Sequence, residues 1–296
     1  MNILITGANG QLAMEFQRCL KTADYYQACL SGRQVVALDK KSMDISDSKR
    51  VSEVISHYKP AVVLNCAAYN QVDKAEEDSD PAFKVNAAGV RNLAISCKKN
   101  NILLVHYSTD YVFNGAKEDF YTEDDIPNPI NNYGKSKLSG ERFLIEETDN
   151  FLLFRISWVF GPGRQNFIYQ LNELAKKNHV IKVVYDQLSV PTYTEDIVRF
   201  TMLAIEKGMR GIYHLTNSGY ASRYEVARHY IGKLKLPNII LPVSSSLFPS
   251  AARRPYFSAM SNTRLSNLLG QEIPDWRDAV DRFIQTMAIP DGMEGK

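Results

Sequence analysis

A tyrosine and a lysine four residues apart, Tyr133 and Lys137, are the residues of this 296-residue sequence whose types and spacing best suit catalysis. Reducing a ketone requires a hydride on the carbon and a proton on the oxygen. A free phenol has a pKa of about 10, but a lysine ammonium beside it stabilises the phenolate and lowers that pKa. The pair therefore indicates a reductase in which Tyr133 supplies the proton. The spacing alone is weak evidence, because sixteen tyrosines produce such pairs by chance.

The predicted surroundings of the pair support the catalytic interpretation more strongly than the spacing does. Tyr133 stands at the start of a predicted helix, Gly134–Glu147, so residues i and i+4 project from one face. That helix follows an apolar strand at Ile102–Tyr107 and precedes another at Phe151–Ile156. Ligands bind at the carboxyl ends of such strands. A hydroxyl from residues 108–110 would polarise a substrate carbonyl there as charge develops on its oxygen.

A glycine-rich turn near the amino terminus predicts a dinucleotide site. A short apolar strand, Asn2–Thr6, runs directly into the turn, and an amphipathic helix, Gln11–Leu20, follows it. Backbone N–H groups and the positive end of a helix meet a pyrophosphate at such a junction. The pattern is GxxGxxA, with Gly7 and Gly10 as its glycines and Ala13 in the last position, where a small residue allows close helix–sheet packing.

The cofactor's adenosine end is predicted to lie near Asp39, which ends the second strand. An acidic residue there commonly accepts hydrogen bonds from the adenosine ribose, which favours NADH. Lys40 and Lys41 follow at once and could neutralise the 2′-phosphate of NADPH. Asp39 is also further from the glycine turn than usual, because the segment Thr22–Gln34 looks like an extended loop. The choice between NADH and NADPH therefore stays open at this point.

Alternation of apolar strands with helices over the first half of the chain predicts a doubly wound parallel sheet, a Rossmann fold of the α/β class. We expect a dinucleotide-binding domain at 1–160, joined by parts of 180–215, and a smaller, loop-rich carboxyl-terminal substrate lobe at 161–296. The remaining predicted strands are Val35–Asp39, Ala61–Asn65, Ile181–Tyr185 and Gly211–Leu215, and the remaining helices are Ser46–Tyr58, Pro81–Lys99, Glu195–Lys207, Ser222–Leu234 and Asp275–Met287.

Composition excludes several classes of protein. A formal net charge of +2, with basic residues scattered along the chain, argues against a nucleic-acid binder. The four cysteines have no CxxC spacing, so no zinc site is predicted and free buried thiols are expected. No apolar stretch is long enough to span a bilayer, and the amino terminus lacks the features of a signal peptide. We therefore expect a cytoplasmic protein with no membrane or nucleic-acid partner.

A series of short motifs, in order along the chain, carries a more specific resemblance. The motifs are ITGANGQL, NCAAYNQVDKAE, HYSTDYVFNG, NNYGKSKLSGE, FRISWVFGPG followed by NF, DQLSVPT and ARRPYFSAMSN. In this combination they resemble the dTDP-4-dehydrorhamnose reductase family of extended short-chain dehydrogenases/reductases. The likeness runs from Met1 to about Met287, and STDYVF, SW, DQxxxPT and RRP are more discriminating than the glycine turn or YxxxK.

The resemblance implies a reaction and a set of roles. The family reduces the 4-keto group of dTDP-4-dehydro-β-L-rhamnose with NADPH or NADH, the last step in making dTDP-L-rhamnose for polysaccharides. It implies that Tyr133 donates the proton, Lys137 tunes it and Thr109 completes the catalytic triad, while Asp110 and Trp158 contact the sugar together with Thr109 and Tyr133. The cofactor-binding residues that it implies, with the glycines of the turn, are Gly7, Gly10, Gln11, Leu12, Asp39, Asp44, Ile45, Cys66, Ala67, Ala68, Tyr107, Tyr133 and Lys137.

The sequence departs from the family pattern at a few places. Ala13 replaces the usual third glycine, and Tyr69-Asn70 stands where His-Thr is common. Some members bind Mg²⁺ between subunits through three glutamates, of which Glu15 and Glu195 match two, but Thr286 stands at the third position. A magnesium site and two ordinary surface glutamates are therefore both open, and no metal ligands are assigned.

Two alternatives to a dTDP-4-dehydrorhamnose reductase remain. One is another nucleotide-sugar 4-ketoreductase or an epimerase on the same scaffold. The other is a noncatalytic regulatory subunit like the beta subunit of methionine adenosyltransferase, although Thr109, Tyr133 and Lys137 are all present, which favours an active enzyme. The oligomeric state is open between monomer and homodimer. Arg253-Arg254 is a solvated pair, a tie between the two domains or a contact for the dTDP diphosphate.

Overall fold

A computed structural model describes residues 2–22, 34–163 and 166–287, so most of the predicted loop Thr22–Gln34 lies outside the described residues. The strands are β1 (Ile3–Thr6), β2 (Val35–Leu38), β3 (Val62–Asn65), β4 (Leu103–Thr109), β5 (Phe151–Ile156), β6 (Val159–Phe160), β7 (Val180–Val184), β8 (Leu188–Ser189), β9 (Thr192–Tyr193), β10 (Gly211–His214), β11 (Ala221–Ser222) and β12 (Ile239–Val243). The helices are α1 (Gln11–Thr22), α2 (Ser48–Tyr58), α3 (Lys74–Glu77), α4 (Asp80–Phe83), α5 (Val90–Lys99), α6 (Asn132–Glu147), α7 (Phe167–Lys177), α8 (Thr194–Glu206), α9 (Arg223–Lys233), α10 (Thr263–Leu269) and α11 (Trp276–Met287).

The centre of the molecule is a six-stranded parallel sheet in the order β10-β5-β4-β3-β1-β2. Its inner strands β1, β3 and β4 are buried throughout, which explains why they are apolar on both faces. The strand order reverses between β1 and β3. Ligands bind outside the carboxyl ends of strands at such a switch point. The predicted doubly wound Rossmann fold is confirmed.

Apolar helix faces cover the sheet on both sides. On one side Phe16 of α1 and Phe200 of α8 belong to a core cluster with β1, β3, β4 and β5. On the other side Val51 of α2, Leu93 of α5 and Leu144 of α6 belong to a second cluster. The helix α8 and the strand β10 thus return from the second half of the chain to complete the layers around the sheet.

The second half of the chain also forms a smaller lobe with its own apolar core. Three two-stranded sheets belong to it, β11 with β8, β12 with β7, and β6 with β9. Its core contains Tyr193, Tyr230, Trp276 and Phe283, all nearly inaccessible to solvent. No helix in the part of the chain that the structure describes has the length and apolar character needed to cross a membrane.

The prediction of one continuous helix at Pro81–Lys99 is wrong. It consists of α4, a π-helical segment at Lys84–Gly89, and α5. The π-helical segment pushes the Asn86 carbonyl oxygen toward α6, where a Cβ on Gly140 would lie only 2.0 Å from it. Apolar periodicity cannot show this, because the bulge is fixed by a contact with another helix.

The predicted start of the second helix is also wrong by two residues. The helix α2 begins at Ser48 and its capping residue is Asp47, whose side chain accepts a hydrogen bond from the Arg50 backbone N–H at 3.0 Å. The Ser46 hydroxyl instead donates to Asp44 at 2.8 Å. Both residues are good N-caps, so composition did not distinguish them.

A buried ion pair joins α6 to the neighbouring strand β5. Arg155 donates through Nη2 to Glu141 Oε2 at 2.8 Å and through Nε to Glu141 Oε1 at 3.1 Å. The two side chains are 4% and 2% exposed. Removing one member of such a pair leaves the other charge buried without a partner, which is more costly than the loss of an exposed pair.

We expect Glu141→Gln to lower the free energy of unfolding by about 3–5 kcal/mol, because the Arg155 guanidinium stays buried. The matched control is Glu147→Gln on the same helix, which removes a pair with Arg91 of 2.8 Å in which the arginine side chain is 51% exposed. That control should cost less than about 1 kcal/mol. Chemical denaturation of both variants measures the difference, and equal losses would contradict the importance of burial here.

Candidate active site

The turn after β1 lies against the end of β3. Gly7 has a φ of +68°, and a Cβ on it would lie 2.8 Å from the backbone N and Cα of Ala67. Only glycine combines this backbone conformation with so close an approach. The Ala8 N–H also donates to the Leu38 carbonyl oxygen at 3.1 Å, so the turn touches both neighbours of β1. The first glycine of the predicted motif thus brings three strand ends together.

A cavity of about 320 Å³ opens above these strand ends. Nine of the predicted cofactor-binding residues line it: Gly10, Gln11, Leu12, Cys66, Ala67, Ala68, Tyr107, Tyr133 and Lys137. Thr109 and Trp158 line it as well, and Asn70, one of the departures from the family pattern, also faces it. The tertiary structure therefore brings residues from the turn after β1, from the start of α1, and from β3, β4 and α6 to one site.

Four other predicted cofactor residues do not line this cavity: Gly7 of the turn itself, Asp39, Asp44 and Ile45. Asp39 follows β2, and its carboxylate accepts the Ser42 N–H at 2.9 Å, which lowers its pKa. Asp44 accepts hydrogen bonds from Ser46 in the next turn. Ile45 is 2% exposed and belongs to the core beneath. Asp39 is nevertheless adjacent to Leu38, whose carbonyl binds the glycine turn, so it lies at the same edge of the sheet.

The start of α6 fixes the tyrosine and the lysine. Asn131 caps the helix, with its Oδ1 accepting the Gly134 N–H at 2.7 Å and its Nδ2 donating to the Arg253 carbonyl at 2.9 Å. One turn later, Lys137 is 2% exposed and its ammonium donates to the Tyr107 carbonyl oxygen at 2.5 Å. The side chains of Tyr133 and Lys137 then face the same cavity.

Burial shifts the pKa of both residues. It lowers the pKa of the Lys137 ammonium to about 8, against an opposing effect of the nearby Glu141 carboxylate. It raises the pKa of the Tyr133 phenol well above its usual value; the nearby Thr109 hydroxyl opposes this rise and the Asp110 carboxylate adds to it. At neutral pH Tyr133 is therefore protonated, which is the state of a proton donor.

The Lys137 ammonium is held by a backbone carbonyl of β4. The expectation that Lys137 lowers the pKa of Tyr133 stays a prediction. The four-residue spacing correctly predicted a shared face. It could not show that the longer lysine side chain reaches past the tyrosine to the strand.

The end of β4 supplies the third predicted catalytic residue. Thr109 is the last residue of the strand, and its hydroxyl donates to Asp110 Oδ1 at 3.2 Å and accepts the Tyr111 N–H at 3.2 Å. Thr109 lines the same cavity as Tyr133 and Lys137. The three residues predicted to form the triad thus lie at one place.

A second cavity of about 290 Å³ shares a wall with the first. Thr109, Tyr133 and Trp158 line both, as does Asn70. Trp158 has a φ of +38°, an unfavourable conformation for an aromatic residue, and such strain is often found at functional sites. Its ring lies 5.7 Å from that of Phe167, and it faces the cavity rather than filling the core.

A third cavity of about 670 Å³ continues from the second through Gln187 and Arg223, which line both. The Arg223 guanidinium lies 5.4 Å above the Trp158 ring and donates to Gln187 Oε1 at 3.1 Å. Among the described residues no carboxylate lies within ion-pair distance of it. Sequence analysis missed Arg223, because its place at the start of α9 carried no signal that it faces the strand ends.

Arg253 and Arg254 differ from Arg223 in their contacts. Arg254 forms an ion pair with Asp73 at 2.6 Å, so it ties the small lobe to the loop after β3. Arg253 is exposed and contributes its backbone carbonyl to the Asn131 cap. Arg254 also lines the third cavity, so the residue that pairs with Asp73 also forms part of the cavity wall.

The two glutamates matching a magnesium site share an arginine. Arg18 Nη2 lies 2.5 Å from Glu15 Oε1 and 3.4 Å from Glu195 Oε2. The Thr286 hydroxyl donates to the Phe283 carbonyl at 2.7 Å. No group of three or more His, Cys, Asp or Glu side chains suited to a metal ion occurs within residues 2–22, 34–163 and 166–287.

Comparison with known proteins shows which family this geometry belongs to. Residues 1–289 match the family model described as the RmlD substrate binding domain. The chain is 38% identical over 304 residues to the dTDP-4-dehydrorhamnose reductase of Burkholderia thailandensis, covering 97% of this chain and 99% of that one.

Two crystal structures agree. The dTDP-4-dehydrorhamnose reductase of Clostridium acetobutylicum has a TM-score of 0.91 and 34% identity, covering 98% of this chain and 100% of that one. The enzyme of that name from Bacillus anthracis, in complex with NADP, has a TM-score of 0.90 and 34% identity, covering 96% and 99%. The chain therefore belongs to the dTDP-4-dehydrorhamnose reductase family.

Proposed function

We propose that this protein reduces the 4-keto group of dTDP-4-dehydro-β-L-rhamnose to dTDP-β-L-rhamnose, with NADPH or NADH as the hydride donor, as the last step of dTDP-L-rhamnose synthesis. One observation carries the proposal. Tyr133 and Thr109 form the wall shared by the first two cavities, so a protonated phenol stands where a hydride donor in one and a carbonyl in the other would meet. The relatives that bear this activity in their names match over almost the full chain.

The first cavity suits a nicotinamide dinucleotide. The amino-terminal end of α1 opens onto it, where backbone N–H groups attract a pyrophosphate, and the small residues Ala67 and Ala68 leave room at the end of β3. Asp39 would accept hydrogen bonds from the ribose of NADH, whereas the adjoining Lys40 and Lys41 would neutralise the 2′-phosphate of NADPH. When bound, the cofactor supplies the hydride.

The chain's own residues supply the proton and the orientation. Negative charge develops on the carbonyl oxygen during reduction, and Tyr133 transfers its phenolic proton to that oxygen to give the alcohol. The buried Lys137 ammonium places a positive charge beside the reacting groups and can bind the nicotinamide ribose. The site lies in a cleft between the two lobes, where partial exclusion of water strengthens these electrostatic effects.

The third cavity suits the nucleotide part of the substrate. Arg223 is half-buried, with an aromatic neighbour and no carboxylate partner among the described residues, so its charge is available to an anion in the cleft. The diphosphate that joins the sugar to the nucleoside in the proposed substrate would be such an anion. We propose that the lobe at 161–296 binds the dTDP-sugar and that the domain at 1–160, with parts of 180–215, binds the cofactor.

The function is tested by making the keto sugar from dTDP-glucose with the upstream dehydratase and epimerase, and adding this protein with NADPH or NADH. We expect one cofactor molecule oxidised per sugar reduced, and the better of the two cofactors identifies the preference. An epimerase returns its hydride and would show no net oxidation. Oxidation with other dTDP-keto sugars but not this one would identify a different 4-ketoreductase, and none with any sugar would support a regulatory role.

Tyr133→Phe should lower kcat by about 10²- to 10⁴-fold, because the variant lacks the proton donor. Its dissociation constant for the cofactor, measured by fluorescence titration, should change less than about threefold, since phenylalanine preserves the wall of the cavity. Tyr213→Phe on β10 is the matched control, as that hydroxyl only donates to the Arg210 carbonyl. Full turnover by Tyr133→Phe would refute the assignment of the donor.

The lowered pKa of Lys137 predicts a loss of activity at high pH. Its pKa is about 8 and lysine is charged below its pKa, so the ammonium is present at pH 7 and disappears as the pH rises through about 8. We expect kcat/KM for the cofactor, which reports groups of the free enzyme, to fall about tenfold per pH unit above that point. Lys137→Arg keeps its charge and should remove this fall, whatever its absolute rate. A wild-type profile flat to pH 9.5 would contradict the prediction.

A further inference from the structure

Asn70 lies on the wall that the first two cavities share, together with Thr109, Tyr133 and Trp158. It is exposed, and within the described ranges its side-chain amide has no hydrogen-bond partner. Sequence analysis noted Asn70 only as a departure from the family pattern, in which threonine is common at this position. An amide without a protein partner at this wall is available to a ligand.

The loop after β3 holds Asn70 in a fixed place relative to Tyr133. On the amino-terminal side, the Tyr69 N–H donates to Asn86 Oδ1 at 2.8 Å, and Asn86 Nδ2 donates to the Tyr69 carbonyl oxygen at 3.0 Å. Asn86 belongs to the π-helical segment, is 1% exposed and also donates to Ser136 Oγ at 3.0 Å. The Ser136 hydroxyl in turn donates to the Tyr133 carbonyl oxygen at 2.7 Å. Two buried side chains therefore connect the backbone beside Asn70 to the backbone of Tyr133.

The same loop is anchored on the carboxyl-terminal side of Asn70. The Val72 N–H donates to the Asn70 carbonyl oxygen at 3.1 Å. Asp73 then accepts the Arg254 guanidinium at 2.6 Å and the Ala252 N–H at 3.1 Å, so the small lobe holds the loop as well. A side chain whose backbone is held on both sides loses less conformational freedom when it binds a ligand, which favours binding.

Three hydroxyls that line the second cavity are already committed to a protein partner. Those of Thr109, Ser189 and Ser258 donate to the Asp110 carboxylate at 3.2, 2.8 and 2.6 Å. A hydroxyl has a single proton, so these three have none to donate to a sugar. The Asn70 amide, in contrast, has two N–H donors and an acceptor oxygen that no described residue binds.

The proposed substrate has a hydroxyl that suits such an amide. In a 6-deoxy-4-ketohexose the carbonyl carbon C4 lies between C3, which bears a hydroxyl, and C5, which bears the methyl group. Tyr133 protonates the carbonyl oxygen in the proposed reaction, so a polar side chain on the same wall meets the neighbouring oxygen on C3. A hydroxyl both donates and accepts hydrogen bonds, and so does the Asn70 amide.

We infer that Asn70 is a sugar-binding residue: its amide hydrogen-bonds the C3 hydroxyl beside the reacting carbonyl and thereby selects keto sugars that carry this hydroxyl. The inference deepens the proposed function and rests on it, because its ligands are the substrate and product of that reaction. It assigns Asn70 to the sugar and not to the cofactor, although the residue lines both cavities.

Asn70→Ala tests the inference through binding of the product, measured by calorimetric titration with saturating oxidised cofactor. The Kd for dTDP-L-rhamnose should rise about five- to tenfold, because one hydrogen bond between neutral groups is lost. The Kd for dTDP, which lacks the sugar, and the Kd for the cofactor should each change less than about twofold. Equal weakening of dTDP and dTDP-L-rhamnose would overturn the inference, as would weaker cofactor binding alone or no change in any of the three constants. Because Asn70 is exposed, the variant should fold, which a thermal melt verifies.

A product analogue without the C3 hydroxyl identifies the oxygen that Asn70 binds. The wild type should bind the 3-deoxy analogue of dTDP-L-rhamnose about five- to tenfold more weakly than dTDP-L-rhamnose itself. The Asn70→Ala variant should bind the two ligands with dissociation constants within about twofold of each other, since the partner of that hydroxyl is gone. The same ratio in the wild type and the variant would show that the amide does not contact this hydroxyl, and the inference would be wrong.

Asn172→Ala is the matched control, because Asn172 lies on α7 and lines a separate cavity. It should leave the dissociation constants for dTDP-L-rhamnose and dTDP unchanged. The proposed function fails by a different result. A wild type that does not reduce the keto sugar would refute the proposed function, whereas a wild type that does, with an Asn70→Ala variant that binds dTDP-L-rhamnose equally well, would refute this inference alone.

Discussion

The burial of charge on one face of α6 is the constraint on which the active site depends. Tyr133, Lys137 and Glu141 follow one another at four-residue intervals, so they lie along one side of the helix. Glu141 forms the buried ion pair with Arg155 of β5, and its negative charge favours the ammonium of Lys137. The Tyr107 carbonyl completes the environment of that ammonium. The helix can therefore hold a charged lysine beside a tyrosine that stays protonated.

The position of the cleft depends on where the charged residues of α6 lie relative to the carboxyl ends of the strands. Gly10 of the glycine turn and the end of β3 line the first cavity together with α6. The small lobe closes the site through the hydroxyls gathered by Asp110 and the ion pair of Arg254 with Asp73. Chemistry is thus placed at the boundary between the two lobes, with Arg223 further along the same cleft.

Sequence-based expectations succeeded where they depended on local pattern and failed where a distant contact decided the outcome. The parallel sheet and the meeting of Tyr133, Lys137 and Thr109 were predicted correctly. The contact of the Lys137 ammonium with the Tyr107 carbonyl was not, because no spacing rule identifies that carbonyl. Arg223 was missed for the same reason: its partners come from elsewhere in the chain, and its own neighbours in sequence look like any helix start.

The sequence by itself determined the fold class, the family and the position of the proposed proton donor. These follow from apolar strands, from glycines needed at a close approach, and from motifs that keep their order along the chain. Only the tertiary structure decided the hydrogen-bond partners of Lys137, the burial that raises the pKa of Tyr133 and the π-helical segment at Lys84–Gly89. The physical reason is that the pKa of a group and the orientation of a hydroxyl depend on burial and on partners that folding brings together, which local sequence does not specify.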